Sequence, residues 1–302
     1  NGGHQFNPYR AISTIRQFFQ PSSSQACRYF NAQSLQEQKP IAIVGAKNCD
    51  LYSLKIQDYV FLGEPVDQVY KARRDSGLII SSDCSDFKDV CFCLNLGLNP
   101  YPDELFDLNL SKTEGGYFLE AGSAKGEKLL EKSKSLFQEK KTASSEREES
   151  RQGLIDRLTG HLNPQQLAPK EKLHQLIKDG FQHDVWAEQA QKCVECGACI
   201  MNCPTCHCFL LLDEEKQGEF FRGKIWDGCQ YRDFARVAGG ANPLRLRSQR
   251  LRNRYVKKFE FFKENMDLYA CTGCGRCIEG CLAKIDIRDI FKQLNAVLNK
   301  RQ

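Results

Sequence analysis

Eight of the sixteen cysteines fall into two runs with the same rhythm. Cys193, Cys196, Cys199 and Cys203 are separated by two, two and three residues, and Cys271, Cys274, Cys277 and Cys281 repeat that spacing. Three thiolates at this interval on a curled loop can each bind one iron of a [4Fe–4S] cube. The fourth begins a helix that leads away, so it serves the other cluster. The expected ligand sets are therefore crossed. Cys193, Cys196, Cys199 and Cys281 hold one cluster, and Cys271, Cys274, Cys277 and Cys203 hold the second. Gly197 and Gly275 let the backbone come close to the inorganic sulfides. Structural zinc is the competing use of paired cysteines, but it takes two pairs per ion and gives no role to a third and fourth cysteine in this rhythm.

Four more cysteines, Cys49, Cys84, Cys91 and Cys93, lie in the N-terminal part and are candidates for a third cluster. The plainer alternative is that they are small buried hydrophobes. Cys206, Cys208 and Cys229, with His207 nearby, form a further possible group without an obvious fourth thiolate. Cys27 is unassigned. In a short secreted chain so many cysteines would suggest disulfides. In 302 residues, half of them tightly grouped, they suggest metal in a reducing cytoplasm. The formal charge of +5 is offset by clusters that each carry net negative charge with their thiolates, leaving about +1 with two clusters bound. Charge therefore gives no argument for nucleic acid. Seven cations crowd residues 244–258, namely Arg245, Arg247, Arg250, Arg252, Arg254, Lys257 and Lys258. No aromatic platform is interleaved with them as single-strand binding would use. They are expected to offset the clusters and to dock an acidic partner. The residues 41–46, Ile-Ala-Ile-Val-Gly-Ala, lack the glycine pattern of a dinucleotide site. The acidic residues and the five histidines make no paired catalytic arrangement.

The elements that must position these thiols read as an α+β chain: an N-terminal α/β domain over 1–142, a helical connector over 143–192, and a dicluster module over 193–302 with an insertion at 209–262. Strands are expected at 41–45, 77–82, 105–110 and 117–120, and helices at 11–19, from Asn48 or Asp50 onward, at 67–74 and at 124–137. Residues 138–152, rich in Lys, Glu and Ser, read as a linker or an exposed helical extension. Leu173, Leu176, Ile177 and Phe181 have helical spacing. Lys284–Ile287 reads as a closing strand. No apolar run approaches the roughly 20 residues of a membrane helix. The sequence begins at Asn1 rather than Met and shows no signal-peptide pattern.

Several stretches together carry a resemblance. They are Cys203-Pro-Thr-Cys-His-Cys-Phe209, Trp226-Asp-Gly-Cys229, Arg236-Val-Ala-Gly-Gly240, and Arg250-Leu-Arg-Asn-Arg254 with Lys257, Lys258 and Phe259. In the N-terminal half they are joined by Gly45, Cys49, Asp50, Leu51, Asp58, Tyr70, Arg73, Arg74, Asp83, Cys84 and Cys91-Phe-Cys93. The chain resembles the β subunits of soluble [NiFe] hydrogenases (sulfhydrogenases) and the corresponding iron–sulfur subunits of anaerobic sulfite reductases, over most of residues 41–290. The second run departs from the ferredoxin pattern by having Leu282 where proline is usual. The resemblance includes all four N-terminal cysteines. It implies an iron–sulfur electron conduit between a flavin-bearing subunit and a catalytic subunit, in the cytoplasm, with no membrane span and no nucleic acid. The alternative is a reductase acting on a small sulfur compound at a cluster or an N-terminal pocket.

Overall fold

The computed structural model describes residues 6–30, 39–138 and 140–298. After a short helix α1 (Arg16–Phe19) and strand β1 (Ser23–Arg28), an α/β unit is built from β2 (Ala42–Ala46), α2 (Asn48–Phe61), α3 (Gln68–Ser76), β3 (Leu78–Ser82), β4 (Leu108–Thr113) and β5 (Gly116–Ala121). The sheet order is β2-β3-β4-β5, parallel across the first three strands and antiparallel at β4–β5. Ile43 and Ile79 on the strands pack against Leu51, Leu54 and Phe61 of α2 and Tyr70 of α3. The α3 start is fixed locally, because the Asp67 side chain accepts the Tyr70 backbone N–H at 2.9 Å.

The sheet is followed by α4 (Ala124–Lys132), shorter than the 124–137 expected, and by α5 (Ala143–Leu162), α6 (Lys170–Asp179) and α7 (Val185–Gln191). The polar stretch from residue 143 is thus a helical extension. Its first turns are mostly exposed, and its buried residues are Leu154, Leu158 and Leu162. Beyond it come α8 (Ala198–Met201), the hairpin β6 (Phe209–Lys216) and β7 (Glu219–Trp226), α9 (Arg247–Val256) continued by a π turn (Lys257–Phe261), then α10 (Phe262–Met266), α11 (Arg276–Glu279) and α12 (Ile287–Leu298). β7 also pairs with β1, so the first strand of the chain completes a three-stranded sheet, β1-β7-β6, some 200 residues away.

The larger core joins α5, α6, α7, α9 and α12 to Phe92 and Leu96. In α12, Ile287, Ile290, Phe291 and Leu294 recur at i, i+3, i+4 and i+7, and all four are buried. That periodicity overrides the expected strand at 284–287: residues 284–286 are an irregular lead-in and Ile287 is already the first residue of α12. Phe181, placed by spacing on the α6 stripe, lies beyond its end and is partly exposed beneath the Arg252 guanidinium. No helix among the described residues is long and apolar enough to cross a membrane.

Candidate metal centres

The two cysteine runs fold alike. Each carries its third cysteine in a one-turn helix, α8 or α11, whose N-terminal neighbour is a left-handed glycine, Gly197 at φ 74° or Gly275 at φ 69°. The fourth cysteine, Cys203 or Cys281, follows that helix and, contrary to the expectation, begins none of its own. The two short helices pack together. At Gly275 a side chain is also excluded sterically, because a Cβ would lie 2.2 Å from the Val90 carbonyl oxygen.

One cavity is lined by Cys193, Cys196, Cys199 and Cys281, with Cys277 at its inner edge and Leu251, Tyr255, Ile285 and Ile287 as apolar wall. The thiol from the second run thus faces the first three of the other run. Backbone N–H groups already point at these sulfurs, from Glu195 to Cys193 Sγ at 3.4 Å and from Ile285 to Cys281 Sγ at 3.3 Å. Burial pushes the Cys199 thiol up to about 12. A bound metal reverses this preference, since a coordinating thiol is deprotonated.

The other crossing is held by Lys258. Its ammonium reaches Cys203 Sγ at 3.3 Å, Thr205 Oγ1 at 2.7 Å and the carbonyl of Ala270 at 2.9 Å. Ala270 immediately precedes Cys271, so one buried cation ties the fourth thiol of the first run to the start of the second. The Cys203 thiol is held below its usual range by a hydrogen bond with Cys206 and by Lys258 and Arg254, against the effect of burial. Cys206 is pushed the other way by the same bond and by burial. Cys206 and Cys229 pack with Cys203 and Ile200. Cys208 sits just before β6, its carbonyl accepting from the Asp227 N–H at 3.0 Å. Cys27 is exposed on β1.

Cys49, Cys84, Cys91 and Cys93 all line a second cavity, with Gly273 and Cys274 of the second run forming its floor. β2 runs into the first turn of α2, which carries Cys49, and β3 runs into the loop carrying Cys84. The cavity therefore lies at the carboxyl ends of the parallel strands, where open α/β sheets place their ligands. The Phe92 N–H donates to the Gly273 carbonyl at 2.8 Å, locking Cys91–Cys93 onto the second run. Burial raises the thiols of Cys49, Cys84 and Cys93, that of Cys84 to about 12.

Buried cations occupy the spaces between these thiols. Arg254 donates to the Cys199 carbonyl at 3.2 Å, and the Cys277 and Cys199 sulfurs hold it above its usual range against burial. Its Nε is buried with no hydrogen-bond partner in the protein. A buried, orphaned donor facing two groups of thiols fits an anionic metal–sulfide body at these positions. Arg276, fully buried, pairs with Asp50 at 2.8 Å and approaches Cys49 Sγ at 3.9 Å. These contacts correct the expectation for the basic stretch. Arg250, Arg254 and Lys258 are buried and turned inward, with Arg250 paired to Glu195, so they are not part of a docking surface. The contact of Lys258 with Cys203 and the Arg276–Asp50 pair were not read from sequence. The available signal was the i, i+4, i+8 spacing of residues 250, 254 and 258 beside the equally spaced Leu251, Tyr255 and Phe259.

Residues 192–285 match the family description of a 4Fe-4S dicluster domain, so the chain is an iron–sulfur protein of the dicluster class. It is also 32% identical over 249 residues to sulfhydrogenase 2 subunit beta of Pyrococcus furiosus, covering 81% of this chain and 71% of the relative. The chain belongs to the family of these hydrogenase β subunits. No solved structure matches it.

Proposed function

We propose that this chain is an electron-transfer subunit with three [4Fe–4S] sites in sequence. Cys49, Cys84, Cys91 and Cys93 hold one, Cys271, Cys274, Cys277 and Cys203 the middle one, and Cys193, Cys196, Cys199 and Cys281 the last. The sites link a flavin-bearing subunit to a catalytic subunit of a cytoplasmic oxidoreductase complex. The observation that carries this reading is the placement of Gly273–Cys277. The loop floors the N-terminal cysteine cavity through Gly273 and Cys274 and reaches the Cys193 cavity through Cys277. One short segment thus touches all three thiol groups.

A bound cluster supplies one-electron exchange at a potential tuned by charge, hydrogen bonds and solvent exposure. The protein's own contribution is to ligate, to exclude water and to compensate charge. The walls of Leu251, Tyr255, Ile285 and Ile287 keep the Cys193 cavity apolar. Arg254 and Arg276 stand in the two gaps as cations that do not deprotonate, so charge there stays fixed while electrons pass.

The crossing of the two runs gives the test. Cys281→Ser should alter the electron paramagnetic resonance signal of the site held by Cys193, Cys196 and Cys199. Cys203→Ser should alter that of Cys271, Cys274 and Cys277. If each serine disturbed only the site of its own run, the ferredoxin-like ligation would be wrong.

A further inference from the structure

Of the twelve cysteines assigned to metal above, only Cys196 is exposed. The Cys193 site therefore reaches the surface through one of its own ligands. Two large apolar side chains stand exposed beside its ligands, Val194 at 63% and Leu282 at 73%. Each follows a ligand directly in sequence, Cys193 and Cys281 respectively. Leu282 is also the residue that departs from the ferredoxin pattern.

The ground around this apolar spot is basic. Residues 231–246 are fastened to the ligand loop at both ends. At one end the Tyr231 ring fills the space where a Gly197 side chain would be. At the other, Arg250 donates to the carbonyls of Leu244 and Arg245 at 2.9 and 2.8 Å while pairing with Glu195. Arg247 donates to the Cys193 carbonyl at 2.6 Å. The segment between presents Arg232, Arg236 and Arg245 as exposed cations against one exposed acid, Asp233, and Lys192 and Lys284 are exposed next to the two ligand runs. The acid nearest the ligands, Glu195, is taken up by Arg250 and Arg247.

We propose that the surface centred on Cys196, Val194 and Leu282 is the face through which electrons enter or leave the chain, and that it docks an acidic one-electron carrier protein. The proposal rests on the three-site reading above. An apolar centre excludes water where the redox groups approach, and a rim with an excess of one sign steers a partner of the other sign. One electron crosses between the carrier and the site held by Cys193, Cys196, Cys199 and Cys281. What one loses the other gains, with no bond made and no proton moved. The cations used are those left outward, distinct from the buried Arg250, Arg254 and Lys258.

The test uses the anaerobically purified holo-protein and a reduced acidic ferredoxin as probe, followed by stopped-flow absorbance. Changing Arg232, Arg236 and Arg245 to Glu should lower the second-order rate by about tenfold or more at low ionic strength. The difference should close as salt shortens the screening length to about 8 Å at physiological strength and below. The corresponding triple change to Lys should keep the original rate. Reduction by photoreduced deazaflavin, a small molecule, should be the same in all three proteins. An unchanged ferredoxin rate at low salt would overturn the proposal. An equal loss with deazaflavin would also overturn it, by placing the effect in the metal site. Iron content of the unsubstituted protein is measured in parallel, so failure of the cluster reading shows itself separately as missing iron.

Discussion

Replacing Lys258 with Met should make the middle site harder to reduce. The ammonium lies 3.3 Å from Cys203 Sγ and is buried. Burial alone would favour the neutral amine, but the facing Cys203 and Cys206 sulfurs outweigh it and hold Lys258 above its usual range. It is therefore a charge at any working pH. Coulomb's law with an effective dielectric of about 20 gives about 5 kcal/mol at this distance if the added electron resided on the sulfur itself. The electron spreads over the metal core beyond, at roughly twice the distance, which reduces the figure to about 2.5 kcal/mol. At about 1.4 kcal/mol and 59 mV per tenfold for one electron, the expected shift is about 100 mV toward negative potential. Methionine matches the length of the lysine stem and leaves Thr205 Oγ1 and the Ala270 carbonyl short of one donor. Iron content should be checked first for that reason. Redox titration followed by electron paramagnetic resonance then reads the potential of each site. A middle-site potential within about 20 mV of the original, with iron retained, would refute the electrostatic argument, since so small a shift corresponds to under about 0.5 kcal/mol.

Further outcomes follow from the packing. Phe291→Ala removes a fully buried ring that meets Phe259 and Tyr255 edge-on, and should cost about 3–5 kcal/mol in a denaturant titration of the holo-protein. His207 is half-buried against Phe262, and desolvation lowers its imidazole to about 4. The unfolded chain takes that proton near 6.5. Between these values the unfolded state binds more protons, so this contribution is full above about pH 6.5 and is lost as pH falls toward 4. His207→Phe should flatten that part of the pH–stability curve, and an unchanged slope would contradict the assignment.

The two runs were legible in sequence because their chemistry is local: the spacing alone presents three thiolates to one body. The N-terminal site was legible only as four cysteines of the right type. Its ligands come from the first turn of α2, a loop after β3 and the Cys91–Cys93 turn, and tertiary packing alone brings them to one cavity. The strands at 41–45 and 77–82 showed themselves as short apolar runs, observed as β2 and β3. The segment at 284–287 misled because Ile285 and Ile287 alternate like a strand, while Ile287 also opens a longer 3–4 stripe whose burial is worth more. The basic stretch misled for a related reason. Charge in a sequence suggests solvent, yet Arg250, Arg254 and Lys258 lie beside Leu251, Tyr255 and Phe259 on the helix and are drawn inward, Arg254 and Lys258 by cysteine sulfurs and Arg250 by Glu195 and backbone carbonyls.

The central claim is most directly tested by iron and acid-labile sulfide analysis of the anaerobically purified chain, with zinc measured on the same sample. Three [4Fe–4S] sites predict about twelve irons and twelve sulfides per chain. The quadruple change of Cys49, Cys84, Cys91 and Cys93 to Ser should lower both to about eight. About eight of each in the unsubstituted protein would remove the N-terminal site, and stoichiometric zinc without labile sulfide would contradict the account altogether.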